Sequence, residues 1–377
     1  MKRKIKSIKL LIEKSDLDAV LISSVSNIIY LTDCYGFSYL QREAFLVIVA
    51  QPQGLKQKTP GVFSFLITDG RYSEAVADIP GFELIEISSS NSLEKVFENL
   101  SGKIKNIGFE ENDLSVAEYK KVRKYFKTAN LADLQNLRII KDSFEIKSIE
   151  EACKIGDEAF DYILGKIKKG VTERELAFEI EFFIKKKGAD ISFPPIVAFG
   201  ANSSIPHHNT SDRKLKTDNI ILLDFGVKYQ NYCSDMTRTI FFGKADDKFK
   251  KMYKTVLTAQ QKTLNFLDKF LDKDTPWQPR ASSILAKDVD RVARNYITEQ
   301  GFLTIPHSLG HGIGIEVHEQ PRLSPTSKVG LKSGMVFSIE PGIYIPGYGG
   351  VRIEDLVVLE NKGARLLTHS PKHLIEI

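Results

Sequence analysis

Four acidic side chains stand inside or beside apolar, strand-like runs in the C-terminal half of the chain. Asp224 interrupts the run IILLDFG, and Asp235 follows eleven residues later in CSDMTRTIFF. Glu340 follows the run MVFSI, and Glu354 comes fourteen residues later in GGVRIEDLVVL. A carboxylate in such a run is costly to bury unless it is paired or binds a metal ion. Any fold of this chain must therefore provide partners for these acids.

Each acid taken alone has an ordinary explanation, since it could end a strand, accept backbone hydrogen bonds or face solvent. Four of them in two hairpin-like pairs are harder to explain in that way, and His311 adds an imidazole within SLGHGIG. Two carboxylate pairs on adjacent strands can bridge two cations. Oxygen ligands suit manganese or magnesium, and one imidazole extends the choice to cobalt, iron or zinc. Two ions about 3.5–4 Å apart would activate a shared water and polarise a carbonyl group.

The composition is that of a soluble globular protein. Apolar residues make up 42% of the 377 residues and charged residues 27%, which excludes fully disordered and collagen-like chains. This length suggests two or three domains. A net charge of +5 is too small for a chain of this size to indicate binding to nucleic acid or to a membrane surface.

The cysteines and the N-terminal segment bear on the cellular compartment. Cys34, Cys153 and Cys233 are far apart and odd in number, which fits a reducing cytoplasm and argues against a disulfide framework or a zinc ribbon. The N-terminal segment is basic, but Glu13 and Lys14 interrupt it before an apolar stretch of signal-peptide length can form. We therefore expect a cytoplasmic protein whose first residues form an amphipathic surface helix.

Residues 1 to about 135 alternate between short strands and helices, which predicts an α/β layer. The predicted strands are rich in β-branched and aromatic residues and are bounded by turn residues; they span 18–23, 43–50, 62–68 and 106–110. Residues 137–152 have the pattern of a connector, and the helix after them is predicted to end at Gly170. Thr172 and Glu175 form a capping box for the following helix.

Strands dominate from Phe193 onward, with two helical insertions predicted at about 246–272 and 284–299. A loop at residues 273–283 separates the insertions, because its prolines break the helical pattern. This loop holds Trp277, and we expect it to affect the shape of the surface but to supply no metal ligand.

The motifs DFG, SDMTRT, SLGHGIGIEVHEQP and SIEPGIYIPGYGGVRIEDL closely resemble those of the Xaa-Pro aminopeptidase and Xaa-Pro dipeptidase (prolidase) group of the pita-bread metallopeptidases. The resemblance covers the whole chain and is weaker in the N-terminal part, where it depends on SNIIYLTDCYG and TDGRYSEAV. It implies an α/β, creatinase-like N-terminal domain at residues 1–136 and an α+β pita-bread catalytic domain at residues 137–377.

The resemblance also implies roles for the five candidate metal ligands. Asp224 would bind one metal ion, and His311 and Glu340 would bind the other. Asp235 and Glu354 would bridge both ions. Glu340 would in addition act as the general base that moves a proton from the attacking water. The implied cofactor is a pair of divalent ions, with manganese expected and cobalt, zinc or iron as alternatives.

A second set of residues is assigned by the same resemblance. His207 matches a histidine that contacts bound substrate, and His318 matches one that steadies the scissile carbonyl. His307 matches a histidine on the proline side of the site. Arg352 matches an arginine behind the ligands, although it could also be a surface arginine on an alternating strand. Tyr344 matches a tyrosine near the site, although it could also belong to the core.

The function implied is that of a dinuclear metal-dependent exopeptidase that cuts the Xaa-Pro bond at the N-terminus of peptides, an Xaa-Pro aminopeptidase. The alternative is an Xaa-Pro dipeptidase, for which His207, His318 and Arg352 are candidates to neutralise the carboxylate of the substrate's proline. The resemblance also implies a homodimer and a proline-containing peptide as substrate.

Three other functions fit the sequence less well. Methionine aminopeptidases are usually close to a bare catalytic domain, whereas this chain has about 135 additional residues. Creatinase shares both domains but lacks the metal ligands. A catalytically inactive pita-bread module that binds protein or nucleic acid would usually lose ligands and gain charged tails, and this chain does neither.

Overall fold

The computed structural model describes residues 2–34, 36–50, 64–130, 134–270, 284–361 and 363–377. The predicted loop at 273–283, with Trp277, lies outside the described residues. The chain divides into two compact units, Met1–Arg138 and Ile139–Ile377. None of the helices in the described ranges combines the length and the apolar composition needed to cross a bilayer.

The first unit alternates helices and strands as the sequence predicts. Its elements are α1 (Lys2–Lys14), β1 (Ala19–Ile22), α2 (Val25–Thr32), β2 (Ala44–Val49), β3 (Ser64–Asp69), α3 (Ser73–Val76), β4 (Glu83–Ile87), α4 (Leu93–Ser101), β5 (Asn106–Phe109), α5 (Val116–Tyr125) and β6 (Lys127–Asn130). The N-terminal segment is a helix that buries Ile5, Ile8 and Ile12, which recur at the three- and four-residue spacing of one helix face.

A mixed six-stranded sheet in the order β4-β3-β2-β1-β5-β6 forms the centre of the first unit. Strands β1 and β2 are buried along their whole length, and their sequences AVLI and AFLVIV are continuous apolar runs. Such runs are typical of strands covered on both faces. The predicted α/β layer is confirmed, and residues 62 and 63 of one predicted strand lie outside the described residues.

The second unit begins with two helices and continues mainly with strands. Its elements are α6 (Ser143–Leu164), α7 (Glu173–Lys186), β7 (Asp190–Ile191), β8 (Ile196–Phe199), β9 (Asn219–Phe225), β10 (Val227–Tyr229), β11 (Tyr232–Cys233), β12 (Met236–Phe242), α8 (Asp247–Phe270), α9 (Ala286–Glu299), β13 (Gly310–Gly312), β14 (Glu319–Leu323), β15 (Val336–Ile339), β16 (Gly342–Ile345), β17 (Gly349–Arg352), β18 (Asp355–Glu360) and β19 (Gly363–Leu366).

Helix α6 differs from its prediction at both ends. It begins at Ser143, inside the segment expected to be a connector, because Asp142 caps it and forms a capping box with Glu145. It ends at Leu164, and Gly165, rather than Gly170, follows its last residue. The capping box predicted at Thr172 and Glu175 is present at the start of α7.

The sheets of the second unit repeat one arrangement twice. Helices α6 and α7 precede the antiparallel pair β9–β12, and helices α8 and α9 precede the antiparallel pair β15–β18. Strand β13 pairs with β14 and β15 in the second of these sheets. Strands β16 and β17 form a separate hairpin. Each repeat therefore contains one antiparallel pair of strands, and two of the four acidic residues lie in that pair or next to its ends.

Candidate metal centre

The register of the two strand pairs brings the four acids together. In the first pair Thr237 lies opposite Asp224, and Asp235 comes two residues before Thr237. In the second pair Ile339 lies opposite Asp355, so Glu340 and Glu354 flank this pair at the same strand ends. The amide of Glu354 donates to the carbonyl oxygen of Thr237 at 3.1 Å and links the two pairs.

Side chains from both pairs meet around His311. One ligand atom each from Asp235, His311 and Glu354 lies within 4.8 Å of the others. The His311 Nε2 atom is 3.6 Å from Asp235 Oδ2 and 3.4 Å from Glu340 Oε1. Asp224 joins the same region through its position opposite Thr237, whose hydroxyl donates to Glu354 Oε2 at 2.7 Å.

Several oxygens of this cluster are buried without a donor. Asp224 Oδ1, Asp235 Oδ1 and Glu354 Oε1 have no hydrogen-bond partner among the described residues. Buried polar atoms in proteins are normally satisfied, and buried carboxylates that lack donors commonly coordinate metal ions. The donor set of four carboxylates and one imidazole therefore fits divalent cations.

The electrostatics of the cluster lead to the same conclusion. Burial raises the pKa of Asp235 and of Glu340 well above their usual values, and the neighbouring charge of Glu354 raises both further. Burial and the charge of Asp224 raise the pKa of Glu354 to about 7. Like charges confined in a dry site resist ionisation, whereas a bound cation reverses this effect. The charge of Arg352 lowers the pKa values of Asp235, Glu340 and Glu354 again, but only in part.

Ser338 and Gly310 fix the position of His311 in the cluster. Burial lowers the pKa of His311 to about 4, with a smaller effect from His318, so the ring is neutral at physiological pH, as metal binding requires. Ser338 accepts a hydrogen bond from the His311 amide and donates to Glu340 Oε1, each at 3.1 Å. A Cβ at Gly310 would lie 1.9 Å from the Ser338 carbonyl oxygen, so only glycine allows this approach.

Arg352 lies behind Asp224. Its side chain is 4% exposed, and its Nη2 donates to Asp224 Oδ2 at 2.5 Å. Its Nε donates to the Thr237 hydroxyl at 2.9 Å, and its Nη1 donates to the Tyr344 hydroxyl at 3.0 Å. All three guanidinium nitrogens are therefore occupied by protein acceptors. This differs from the expectation that Arg352 helps to neutralise a substrate carboxylate, and it is not a surface arginine.

The three outer histidines lie around the cluster at different depths. His307 Nε2 is 2.9 Å from the Tyr344 hydroxyl, and His307 Nδ1 is 3.9 Å from Glu340 Oε2. His318 is exposed, and its ring centroid is 4.4 Å from that of His311 in an edge-to-face contact. His207 is exposed and close enough to Asp224 and His318 to affect the pKa of both. The structure thus brings together all the predicted site residues.

Sequence reasoning missed three side chains near the centre. Thr237 and Ser338 each hold one glutamate, and both belong to the strands that carry the acids. Arg322 is exposed, lies opposite His311 in the β13–β14 ladder and donates to the Ser308 hydroxyl at 2.6 Å. Opposite residues in a ladder share one face of the sheet. The alternation of HEQPRL could have indicated that this arginine faces the site.

The sequence matches two known families over adjoining regions. Residues 147–361 match Metallopeptidase family M24, and residues 4–140 match the Creatinase/Prolidase N-terminal domain. A metallopeptidase is thus the class that the fold and the clustered ligands define. The chain belongs to metallopeptidase family M24 and combines a creatinase-type N-terminal domain with a pita-bread catalytic domain.

Three relatives are similar over nearly their whole length. The Xaa-Pro dipeptidase of Pyrococcus horikoshii is 34% identical, covering 100% of this chain and 99% of that protein. The structure of the Xaa-Pro dipeptidase from Bacillus anthracis superposes with a TM-score of 0.86 at 34% identity, covering 100% and 99% of the two chains. The X-Pro aminopeptidase from Thermotoga maritima gives a TM-score of 0.81 at 31% identity, covering 96% and 98%.

Proposed function

We propose that this metallopeptidase is an Xaa-Pro dipeptidase that uses two divalent metal ions, expected to be manganese. The observation that carries the proposal is the similarity over the full chain to relatives named Xaa-Pro dipeptidase or prolidase, together with the cluster of Asp235, His311 and Glu354. The relatives therefore favour the alternative of the sequence analysis over the aminopeptidase that it preferred.

Asp224 would hold one ion, His311 and Glu340 the other, and Asp235 and Glu354 both. Buried oxygens without donors on Asp224, Asp235 and Glu354 support this assignment. Bound ions of this kind supply an activated water and polarise the scissile carbonyl. Thr237 and Ser338 each fix one oxygen of a glutamate, which leaves the other oxygen oriented for a ligand role.

Glu340 would act as the general base. It would accept a proton from the attacking water and return it to the leaving nitrogen of the proline residue. Its Oε1 accepts from the Ser338 hydroxyl at 3.1 Å, which orients the carboxyl group. His307 Nδ1 lies 3.9 Å from Glu340 Oε2, so its imidazole would be close to the transferred proton. A general base must lie within hydrogen-bond distance of the proton that it accepts, and these contacts restrict the position of the Glu340 carboxyl group.

His207 and His318 would contact the substrate, because both are exposed beside the ligand cluster. His318 would steady the scissile carbonyl and His207 the peptide itself. A dipeptidase also needs a cation for the carboxylate of the proline. Arg352 is occupied by protein acceptors, whereas Arg322 is exposed on the same sheet face as His311 and is close enough to lower the pKa of His318. We assign the carboxylate contact to Arg322.

The second candidate function is an Xaa-Pro aminopeptidase, which the similarity to the Thermotoga maritima enzyme favours. The two functions differ in the group on the C-terminal side of the substrate's proline, which is a free carboxylate for a dipeptidase and a further residue for an aminopeptidase. The test compares the hydrolysis of Ala-Pro with that of Ala-Pro-Ala by the manganese-loaded enzyme. A dipeptidase cleaves Ala-Pro efficiently and leaves the tripeptide nearly intact. Faster cleavage of the tripeptide would identify an aminopeptidase.

Arg322 offers a second test of the same distinction. Arg322→Met should raise KM for Ala-Pro at least about 10-fold, since a charged hydrogen bond of this kind contributes about 1.5–3 kcal/mol. The matched control is Arg291→Met, which changes an exposed arginine on α9 that pairs with Asp288. An equal KM in both variants would remove Arg322 from substrate recognition.

We further propose a cytoplasmic homodimer with domains at residues 1–136 and 137–377. Cys34, Cys153 and Cys233 are thiols rather than disulfides, which is typical of a reducing compartment. The relatives that match this chain extend over the same two regions. Limited proteolysis with mass spectrometry should release fragments that begin close to residue 137.

A further inference from the structure

A buried carboxylate outside the metal centre organises the segment that carries His207. Glu173 is the first residue of α7, and its side chain is fully buried. Five hydrogen bonds reach its carboxylate from residues 199–211, which we call the His207 loop. The donors are the amides of Phe199 and Ser211, the side-chain amide of Asn202, the imidazole of His208 and the hydroxyl of Ser211, at 2.6–3.0 Å.

This concentration of donors keeps Glu173 charged. Burial by itself would raise the pKa of Glu173, but the hydrogen bonds from Ser211 and His208 lower it below its usual value. The neighbouring Glu175 has a different function. It accepts from the Thr172 amide at 2.7 Å and completes the capping box of the same helix. Glu173 thus anchors the His207 loop, whereas Glu175 stabilises the start of the helix.

The opposite side of the His207 loop is fixed to the hairpin that carries Arg352. The hydroxyl of buried Ser203 accepts from the Gly350 amide at 2.8 Å and donates to the Gly200 carbonyl at 2.6 Å. A Cβ at Gly350 would lie 2.2 Å from the Ser203 carbonyl oxygen. His207 therefore stands on a loop held from one side by the strand beside the metal centre and from the other side by Glu173.

We propose that Glu173 is a positioning residue for substrate binding, which holds His207 at the metal centre through its bonds to His208 and the flanking loop. The inference depends on the proposed role of His207 in contacting substrate. Glu173 itself touches neither substrate nor metal. A misplacement of about 1 Å at a substrate-contacting group can reduce the rate about 100-fold. We therefore expect Glu173→Gln, whose amide cannot accept all five bonds, to lower kcat/KM for Ala-Pro about 10- to 100-fold, mainly by raising KM.

A double-mutant cycle tests this coupling in the manganese-loaded enzyme. Glu173→Gln combined with His207→Ala should have nearly the same kcat/KM as His207→Ala alone, because both changes remove one contribution. The matched control is Glu175→Ala, which weakens the helix cap, lowers the melting temperature and leaves KM unchanged. Additive losses in the cycle, or an equal rise of KM in Glu175→Ala, would overturn the proposal.

Hydrogen–deuterium exchange provides a measurement that does not depend on the substrate. Exchange of the peptide that covers residues 199–211 should accelerate in Glu173→Gln and stay at the wild-type rate in Glu175→Ala. If Glu173→Gln does not fold, His208→Ala removes one of the five bonds and should show the same pattern with smaller changes. Unchanged exchange in both variants contradicts the anchoring. If exchange accelerates in Glu173→Gln but the wild-type enzyme does not cleave Ala-Pro, the proposed substrate is wrong and the anchoring role of Glu173 is still supported.

Discussion

At the scale of single residues, the metal centre depends on carboxylates whose two oxygens have different surroundings. In Glu354 one oxygen accepts from the Thr237 hydroxyl, while the other is buried without a donor among the described residues. Asp235 likewise has a buried oxygen that no described donor reaches. Such a division fits residues that bind a metal on one side and are oriented by the protein on the other.

The first prediction concerns Asp235 and Glu354, the two carboxylates that are proposed to bridge the metal ions. Glu354→Ala and Asp235→Ala should each abolish peptidase activity and lower the metal content at both sites, because each residue is proposed to bind both ions. Asp224→Ala should reduce the metal content mainly at one site. Metal analysis of the purified variants by mass spectrometry measures this. Two tightly bound ions in Glu354→Ala would contradict the bridging role.

The second prediction concerns Glu340. Glu340→Gln keeps the size of the side chain and one oxygen ligand but cannot accept a proton. Removal of a general base typically slows a reaction about 100- to 10,000-fold. We expect a loss of kcat in this range with a much smaller loss of bound metal. Normal turnover in a fully metal-loaded Glu340→Gln enzyme would exclude the role as base.

The contacts of the two arginines near the metal centre could not be predicted from the sequence. The acidic ligands could be predicted because a charged residue inside an apolar strand is rare, and the histidines were assigned from the family resemblance. Arg352 and Arg322 both lie on alternating strands and have the same chemistry. They are distinguished by the register between strands distant in sequence, which buries Arg352 against Asp224 and leaves Arg322 exposed opposite His311.

At the scale of elements, local sequence patterns located the strands β1, β2, β3 and β5 and the helices α7, α8 and α9. Capping residues act over three or four positions, so the start of α7 was predicted correctly from Thr172 and Glu175. The limits of α6 were wrong because its cap, Asp142, lies within a polar segment that has the composition of a connector. Its end was predicted at Gly170 although the nearer Gly165 follows the last helical residue.

The third prediction tests the cap of α6. Asp142 accepts from the amides of Phe144 and Glu145, both at 3.0 Å. Asp142→Ala should lower the free energy of unfolding by about 1 kcal/mol, as is typical for a lost N-cap. Asp142→Ser is the matched control, because serine can also cap the helix. Urea unfolding of both variants measures the difference, and equal stability of Asp142→Ala and wild type would contradict the assignment.

At the scale of the whole molecule, similarity to the relatives covers both domains rather than the catalytic domain alone. The sequence predicted this organisation because the order of helices and strands changes clearly along the chain. Alternating helices and strands give way to paired antiparallel strands after α7. The domain boundary at 136/137 and the homodimer stay predictions.

The fourth prediction concerns assembly. The resemblance implies a homodimer, and two-fold dimers are the commonest assembly of soluble proteins, so we expect this chain to form one. Light scattering at micromolar concentration should give twice the mass of the 42.5 kDa chain. A monomer with full activity under the same conditions would contradict the prediction.

The central claim is that this chain is a two-metal peptidase that cleaves Xaa-Pro dipeptides. The most direct measurement is titration of the metal-free protein with manganese while the hydrolysis of Ala-Pro is monitored. We predict no activity without metal, and full activity only when two equivalents per chain are bound. Full hydrolysis of Ala-Pro by the metal-free protein, or saturation at one equivalent, would contradict the account.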